Sequence, residues 1–391
     1  MSILSEWYGE FVSQYSGLGT LNGTDCSFEI GQMKDGTIVL YSSVDILSAH
    51  GRDEVAIALV GVGEDENPIV ARGKVSTGDK TLSEGSLYVA RGAFEFTAGK
   101  VDWSRVQDIR FSLTNFLFCY SVGRTGELVN NILRLGATLD GIDVAFEKTS
   151  QYDGVWSNVG LGQGTVITCE LIVRKGNQTR EEIMRLSYAI CDLLTIGAGR
   201  IINWICYEAR DRNGSTVYAY HQNRYTNRKA GSELVDFSDP RTAVDFLEQC
   251  YPAYMNYNAR HPGMLHRIGR LLLDLSTPEY DQTSALVAVA IVDALSKKES
   301  DSNVFRERLN SLRNANNMWL DGAEIDAFIQ SRNSLAHEFG FHTEDAEGEY
   351  FHILNLLRRL LLSILDYQFE YYEVTKGERA LNKRTLHRSP Q

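Results

Sequence analysis

Long apolar runs are absent from this chain of 391 residues. No stretch of about eighteen apolar residues is available to cross a bilayer. The most apolar segment, 353–365, is interrupted by Asn355, Arg358 and Arg359, which predicts a buried helix with a polar stripe. The start of the chain lacks the basic end and apolar centre of a signal peptide. We therefore expect a cytoplasmic protein with no membrane partner.

Cysteine is also scarce, and its spacing excludes the usual metal clamps. The six cysteines form no pair at zinc-binding spacing, and most of them lie in apolar segments. They are predicted to be reduced thiols in the core, and neither a metal nor another cofactor is expected.

Positive charge is in deficit, because 51 acidic residues face 39 basic ones and the formal net charge is −12. Such a chain will not coat nucleic acid nonspecifically, so any contact with RNA must be local. A basic stretch near the end of the chain offers one such patch, and a solvated terminus is its alternative interpretation. Its cations are Lys376, Arg379, Lys383, Arg384 and Arg388.

Short apolar segments separated by Gly- and Ser-rich turns are present throughout the first half. This pattern predicts an antiparallel β-rich domain over residues 1–221, sandwich-like or barrel-like in form. The glycine-rich turn at Gly160, Gly162 and Gly164 leads into a strand and is interpreted as a β-connection. The predicted strands are 27–30, 37–41, 86–90, 93–96, 106–113, 143–146 and 166–173.

A helix and a hairpin are predicted at the end of this region. Thr179 and Glu182 match a capping box, and the helix that they open is expected to end at Gly197 and Gly199. The turn residues Asn213-Gly214 then separate two apolar segments, 201–209 and 216–220, which predicts a hairpin joining the same sheet.

Helical periodicity begins near residue 239 and continues to residue 373, after a linker predicted at 222–238. The fold class expected from this order is α+β and multidomain, with an all-α bundle over 239–391. The predicted helices are 239–252, 260–274, 281–298, 303–315, 322–339 and 346–373.

One cation interrupts the apolar stripe of the helix predicted at 322–339. Ile325, Phe328 and Leu335 mark the stripe, and Arg332 occupies a position that should be apolar. A guanidinium facing a core is costly unless it is paired or lines a cavity. Arg332 is therefore a candidate functional residue.

His337 follows Arg332 by five residues, which is about 7.5 Å of rise and about 140° of rotation along a helix. Asn333 shares a helix face with His337 and lies beside Arg332. The long arginine can bend toward the histidine, so Arg332, Asn333 and His337 are predicted to line one polar notch. Gly340 is expected to end the helix, and the nearby helix C-terminus would favour protonated His337.

A second irregularity is Asp293, the single charge in the apolar segment 285–295. A buried carboxylate needs a cation or several donors, and Arg332 is the predicted partner that it would orient. A structural salt bridge between two core helices is the alternative interpretation.

The segment Arg332-Asn333-Ser334-Leu335-Ala336-His337 resembles the signature of HEPN ribonucleases, an arginine and a histidine separated by four to six residues. The amphipathic helices before it, with an acid at Asp293, resemble the helical bundle of that family. The order of a β-rich half and then this bundle resembles the Apea-like HEPN proteins of anti-phage defence.

The resemblance implies a homodimer in which two notches face one cleft that cuts RNA without a metal. His337 would act as general acid or base, Arg332 would hold the phosphate, and Asn333 would position either the phosphate or His337. The substrate expected is tRNA or other host RNA, cut to halt an infected cell. The β-rich domain would then sense a phage-derived trigger or restrain the nuclease. A non-catalytic HEPN protein, which dimerises through its bundle and binds a ligand or protein through its β-rich domain, is the alternative.

Overall fold

The computed structural model describes most of the chain and divides it into two compact units. It describes residues 2–45, 54–82, 85–118, 120–122, 128–130, 133–149, 152, 167–223, 233–275, 282–318, 320–338, 340–374 and 381–385. The first unit comprises 1–115, 142–184 and 203–228, and the second comprises 116–141, 185–202 and 229–391. The predicted glycine-rich turn at 160–164 and most of the predicted linker lie outside the described residues, as do Lys376, Arg379 and Arg388.

The first unit is built almost entirely of antiparallel strands. A short helix, α1 (Ile3–Tyr8), precedes them, and a longer helix begins in this unit. The strands are β1 (Phe11–Leu21), β2 (Thr24–Met33), β3 (Ile38–Ser42), β4 (Val55–Gly63), β5 (Pro68–Leu82), β6 (Gly85–Ala98), β7 (Asp108–Thr114), β11 (Ile142–Lys148), β12 (Ile167–Arg174), β13 (Trp204–Arg210) and β14 (Thr216–Gln222).

These strands form one sheet that closes on itself, where the sequence predicted a sandwich-like or barrel-like domain. Their order is β11-β12-β7-β13-β14-β6-β3-β2-β1-β4-β5, and β5 also pairs with β6. That last pairing makes a closed ring of six strands around a core that includes Phe28, Leu59 and Phe96. The strict alternation of buried and exposed residues along β4 follows from the two-residue period of a strand with one face on that core.

Several local predictions are confirmed in this unit. Thr179 and Glu182 exchange the hydrogen bonds of a capping box. Helix α2 (Arg180–Ala198) ends just before Gly199, and Gly197, which was also expected to end it, lies within its last turn. The hairpin of β13 and β14 joins the sheet between β7 and β6. The two strands predicted at 86–90 and 93–96 are one strand, β6, because Gly92 adopts a positive φ of 60° within it.

The second unit holds most of α2 and all of the later helices. Its further helices are α3 (Pro240–Arg260), α4 (Met264–Leu275), α5 (Gln282–Glu299), α6 (Phe305–Ala315), α7 (Gly322–His337) and α8 (Ala346–Ile364). It also contains the strands β8 (Tyr120–Val122), β9 (Leu128–Asn130), β10 (Arg134–Leu139), β15 (Glu370–Val374) and β16 (Leu381–Thr385). The architecture is thus α+β, with a β-rich region first and a helical region after it.

The unit boundaries differ from the single break predicted at 222–238, since residues 116–141 and 185–202 belong to the helical unit. The physical reason lies in side-chain contacts over long sequence distances. A Cβ added to Gly197 of α2 would lie 2.7 Å from the ring of Phe237, so the two segments pack without space between them. Glu248 of α3 accepts a hydrogen bond of 2.8 Å from the backbone N–H of Thr138 in β10.

Two predicted helices have different ends in the structure. Helix α3 continues past Pro252 to Arg260, because Cys250, Tyr251 and Tyr254 on both sides of the proline are buried in the core. Helix α8 ends at Ile364 instead of residue 373, and strand β15 follows. The Asn355 side chain donates to the backbone carbonyl of Val374 and accepts from its N–H, which holds this strand against α8.

The five cysteines that the structure describes, at positions 26, 169, 191, 206 and 250, are buried and form no disulfide with one another, in agreement with their predicted place in the core. None of the described helices combines the length and the apolar character that crossing a membrane requires.

Candidate functional site

Helix α7 carries the predicted arginine and histidine, and both of its ends are set by local sequence. The Asp321 side chain accepts from the Glu324 backbone N–H at 2.8 Å, and the Glu324 side chain accepts from the Asp321 N–H. This capping box satisfies donors that the first turn leaves open. The Glu324 side chain also forms an ion pair of 2.8 Å with Arg359 of α8, and this contact holds the start of α7 against α8. The helix ends at His337, with Glu338 as its C-cap.

The buried face of α7 leaves Arg332 at its margin. Ile325, Phe328 and Leu335 are buried, as the apolar stripe predicted, and Arg332 is half-buried. Asn333 and His337 are exposed. The helix thus presents a cation at the edge of its packed face and two polar side chains on the solvent side.

The Arg332 guanidinium has an aromatic and an amide neighbour, and it has no acidic one. Its Nη1 donates to Oδ1 of Asn333 at 3.0 Å, and its Cζ lies 5.1 Å from the centroid of the Phe305 ring. No carboxylate of a described residue lies within the 4.0 Å of an ion pair. A guanidinium over an aromatic face is attracted by the ring quadrupole and keeps its positive charge. Arg332 is therefore held in place while its charge remains available to an anion.

The predicted pairing of Asp293 with Arg332 is wrong. Asp293 on α5 pairs instead with Nη2 of Arg308 and Nζ of Lys297, each at 2.6 Å. Burial acts to raise the pKa of Asp293, but the hydrogen bonds from Lys297 and Arg308 outweigh it and hold the pKa below its usual value. Lys297 is one helical turn further along α5, and Arg308 lies on the helix that follows α5, so both cations reach the carboxylate through short chain connections.

Phe305, the first residue of α6, connects the two arginines. The Arg308 Cζ lies 5.5 Å from the centroid of the same ring that Arg332 contacts at 5.1 Å. Asp293 neutralises Arg308, whereas Arg332 has no such partner. Asp293 therefore contacts Arg308, on the same ring as Arg332, and makes no ion pair with Arg332. Sequence reasoning missed Phe305 and Arg308. Arg308 lies on the stripe formed by Leu309 and Leu312 and is buried, so the same irregularity that singled out Arg332 could have found it.

His337 is exposed and has neither a hydrogen bond nor an ion pair with any described residue. It occupies the last turn of α7, beside the carbonyl groups that have no partner within the helix. Asn333 precedes it by one turn on the same face, as predicted. The arrangement offers an anion-binding guanidinium, an amide and a solvent-accessible imidazole along one helix end.

The chain segment after His337 is held by a buried carboxylate. Glu349 of α8 accepts from the backbone N–H groups of His342 at 3.0 Å and Thr343 at 2.8 Å. Burial acts to raise the pKa of Glu349, but these hydrogen bonds and one from the Ser331 side chain keep the pKa lowered. Because Ser331 belongs to α7, the carboxylate joins the end of α7 to the start of α8.

A second histidine in this unit has an acidic partner that the sequence did not reveal. His266 Nδ1 lies 2.7 Å from Asp192, and the other oxygen of Asp192 accepts from the Tyr254 hydroxyl at 2.5 Å. The three residues come from α4, α2 and α3, so no local spacing signals them. The contact joins three helices.

No group of three or more His, Cys, Asp or Glu side chains in the described part of the chain is arranged to hold a metal ion. Comparison of the chain with protein-family models, with curated proteins and with solved structures found no match.

Proposed function

We propose that this protein is a metal-independent endoribonuclease of the HEPN type, with Arg332 and His337 as its catalytic pair. The observation that supports this most is the Arg332 guanidinium, which lies over an aromatic ring without a carboxylate partner, five residues before an exposed imidazole on the same helix. A phosphodiester is the ligand that best fits this combination, because an uncompensated planar cation binds phosphate and an imidazole transfers protons near neutral pH.

The reaction proposed is attack of the ribose 2′-hydroxyl on the adjacent phosphorus. A general base takes the proton from the 2′-oxygen as its bond to phosphorus forms. A general acid gives a proton to the 5′-oxygen as its bond to phosphorus breaks. His337 serves as one of these groups, and Arg332 stabilises the charge on the phosphoryl oxygens. Asn333 holds the guanidinium through the hydrogen bond of 3.0 Å.

Pairing of two chains would supply the second imidazole, so the active form proposed is a homodimer. The products carry a 2′,3′-cyclic phosphate and a 5′-hydroxyl. DNA resists this reaction because it lacks the attacking hydroxyl. The substrate proposed is tRNA or another host RNA, cleaved in anti-phage defence by abortive infection. The β-rich unit then senses a phage-derived trigger or restrains the nuclease.

Cleavage of total RNA in excess EDTA tests the proposal. The full chain should cut RNA and leave cyclic phosphate ends, and His337→Ala and Arg332→Ala should each lose at least about a hundredfold in rate, as expected for a proton-transfer group and for a charge-stabilising group. His342→Ala and Arg306→Ala are matched controls, since His342 is exposed in the next loop and Arg306 pairs with Asp326 on the solvent side. Both controls should retain the wild-type rate.

Toxicity on expression provides a second readout if the resting enzyme is inhibited. The wild type and both controls should arrest growth, and the His337 and Arg332 variants should not. Cleavage or toxicity that survives both substitutions would refute the catalytic pair. A stable, folded protein that never cuts RNA and is never toxic would favour the non-catalytic interaction protein instead.

A further inference from the structure

Three neighbouring strands of the first unit each have one end at the same edge of the sheet, and the loops at that edge line a cavity. Strands β12, β7 and β13 are adjacent, and Asp108 at the start of β7 aligns with Arg174 and with Arg210 at the ends of the other two. The backbone bonds from Gln107 to Arg210 and from Lys175 to Gln107, at 2.7 and 2.9 Å, extend this alignment into the loops.

The cavity has a volume of about 500 Å³, within the range of about 300–1,000 Å³ that is typical of small-molecule sites. Its lining is polar and comes from all three loops. The residues are Ser104, Arg105, Val106, Gln107, Lys175, Gly176, Asp211, Arg212 and Asn213. Three cations and one carboxylate give this lining a formal charge of 3 − 1 = +2, in a chain whose net charge is −12.

The one carboxylate of this lining, Asp211, is hydrogen-bonded within the turn that carries it. Asp211 Oδ1 accepts from the backbone N–H groups of Asn213 at 2.9 Å and Ser215 at 3.0 Å, which shapes the β13–β14 turn. Its Oδ2 lies 3.6 Å from Arg105, a long ion pair whose arginine is mostly exposed. Asp211 therefore orders the turn and compensates one cation only weakly.

The other two cations have no acidic partner among the described residues. The Lys175 ammonium donates to the Gly176 carbonyl at 3.4 Å and lies 5.9 Å from the centroid of the Trp103 ring. That ring is held in turn by its hydrogen bond of 3.1 Å to the Gln178 carbonyl. Arg212, at the exposed tip of the turn, makes no ion pair with a described residue. Two uncompensated charges thus face one polar cavity.

We propose that this cavity binds a small phosphate-bearing molecule of nucleotide size. A phosphate dianion balances the +2 lining, and the three cations come from different loops, so they surround a compact anion rather than forming a track along a polymer. The acidic charge of the whole chain disfavours a long nucleic acid at the same place. The site lies in the first unit and is independent of the proposed ribonuclease pair.

Calorimetric titration of the full chain tests the site with three probes: inorganic pyrophosphate, ATP and adenosine. Pyrophosphate and ATP should bind with one site per chain, and adenosine should not bind. Lys175→Gln and Arg212→Gln should each weaken the binding of both phosphates about tenfold, the expected loss of one charge-assisted hydrogen bond. Arg91→Gln is the matched control, because it removes the same charge from an exposed position of β6 outside the cavity.

The absence of pyrophosphate and ATP binding at millimolar concentration would overturn the proposal. So would binding of adenosine, or an equal loss of affinity in Arg91→Gln. Binding of long RNA that depends on Lys175 and Arg212 without binding of pyrophosphate would assign the surface to nucleic acid and would also overturn it. Circular dichroism of each variant confirms that the fold is retained. RNA cleavage plays no part in this readout, so this site and the nuclease succeed or fail separately.

Discussion

Individual side chains in this protein owe their properties to neighbours that are distant in sequence. The Phe305 ring holds two guanidinium groups, and a cation over an aromatic face contributes about 0.5–1 kcal/mol at a partly exposed site. We expect a double-mutant cycle of Phe305→Leu and Arg332→Met in urea unfolding to show a coupling of about 0.5–1 kcal/mol. Leucine keeps most of the apolar volume, so the cycle isolates the interaction with the ring.

The same cycle with Arg306 in place of Arg332 is the control. Arg306 is exposed and pairs with Asp326, and the guanidinium groups over the Phe305 ring are those of Arg308 and Arg332. Its coupling to Phe305 should be close to zero. A coupling no larger for Arg332 than for Arg306 would show that the ring does not hold the guanidinium.

His221, in the first unit, is fully buried and stacks on Phe96 with ring centroids 4.1 Å apart. Gln32 directs its amide N–H groups to carbonyls, so its oxygen accepts from His221 Nδ1 at 3.0 Å, and His221 Nε2 accepts from Tyr15 at 3.3 Å. This arrangement suits a neutral imidazole. Burial lowers the pKa of His221 from 6.5 to about 3.

A pH dependence of stability follows from that burial. Between pH 6.5 and about 3, His221 is protonated in the unfolded state and neutral in the folded state. Stability therefore falls as the pH drops below 6.5, at up to about 1.4 kcal/mol per pH unit. In His221→Gln this part of the slope should disappear between about pH 6.5 and 5, where few carboxylates titrate. Equal slopes in urea unfolding of the two proteins would contradict the assignment.

At the scale of secondary-structure elements, the capping box of α7 stabilises the helix that carries Arg332 and His337. Asp321→Ala should lower the free energy of unfolding by about 1 kcal/mol, because the N–H of Glu324 loses its acceptor. Asp321→Asn keeps an oxygen acceptor and should cost much less. Urea unfolding of both variants measures the difference, and equal losses would indicate that the cap does not stabilise the helix.

Helix ends were predicted correctly where local chemistry sets them and incorrectly where packing does. The start of α2 follows from the hydrogen bonds between Thr179 and Glu182, and its end follows from Gly199, which adopts a positive φ of 60°. Pro252 removes one backbone hydrogen-bond donor. Helix α3 nevertheless continues through it, because burial of the tyrosines on both sides stabilises the helix by more than the lost hydrogen bond costs. The apolar residues after Ile364 have helical spacing but form β15, because the Asn355 side-chain amide hydrogen-bonds the backbone N–H and C=O of Val374.

At the scale of the whole molecule, the helical unit is discontinuous, so it cannot be isolated by one cut. A fragment of residues 239–391 would lack β10 and the part of α2 that carries Asp192, the partner of Tyr254 and His266. Unpaired buried groups and exposed apolar surface should leave it without a cooperative transition. We expect broad urea unfolding by circular dichroism for this fragment and one or more sharp transitions for the full chain.

A sharp transition in the fragment would show that residues 116–141 and 185–202 are dispensable. If the fragment fails to fold, removing residues 1–220 cannot test whether the β-rich region restrains the proposed nuclease, because that deletion also removes part of the helical unit.

The sequence alone determined that a β-rich region precedes a helical region, where capped helices start, and that Arg332 interrupts the apolar stripe of α7. These features depend on side-chain periods and on hydrogen bonds between near neighbours. Only the tertiary structure decided that Asp293 pairs with Arg308, that β5 closes the ring on β6, and that three loops surround one basic cavity. Each of these depends on groups far apart along the chain, whose meeting is governed by packing of the whole unit.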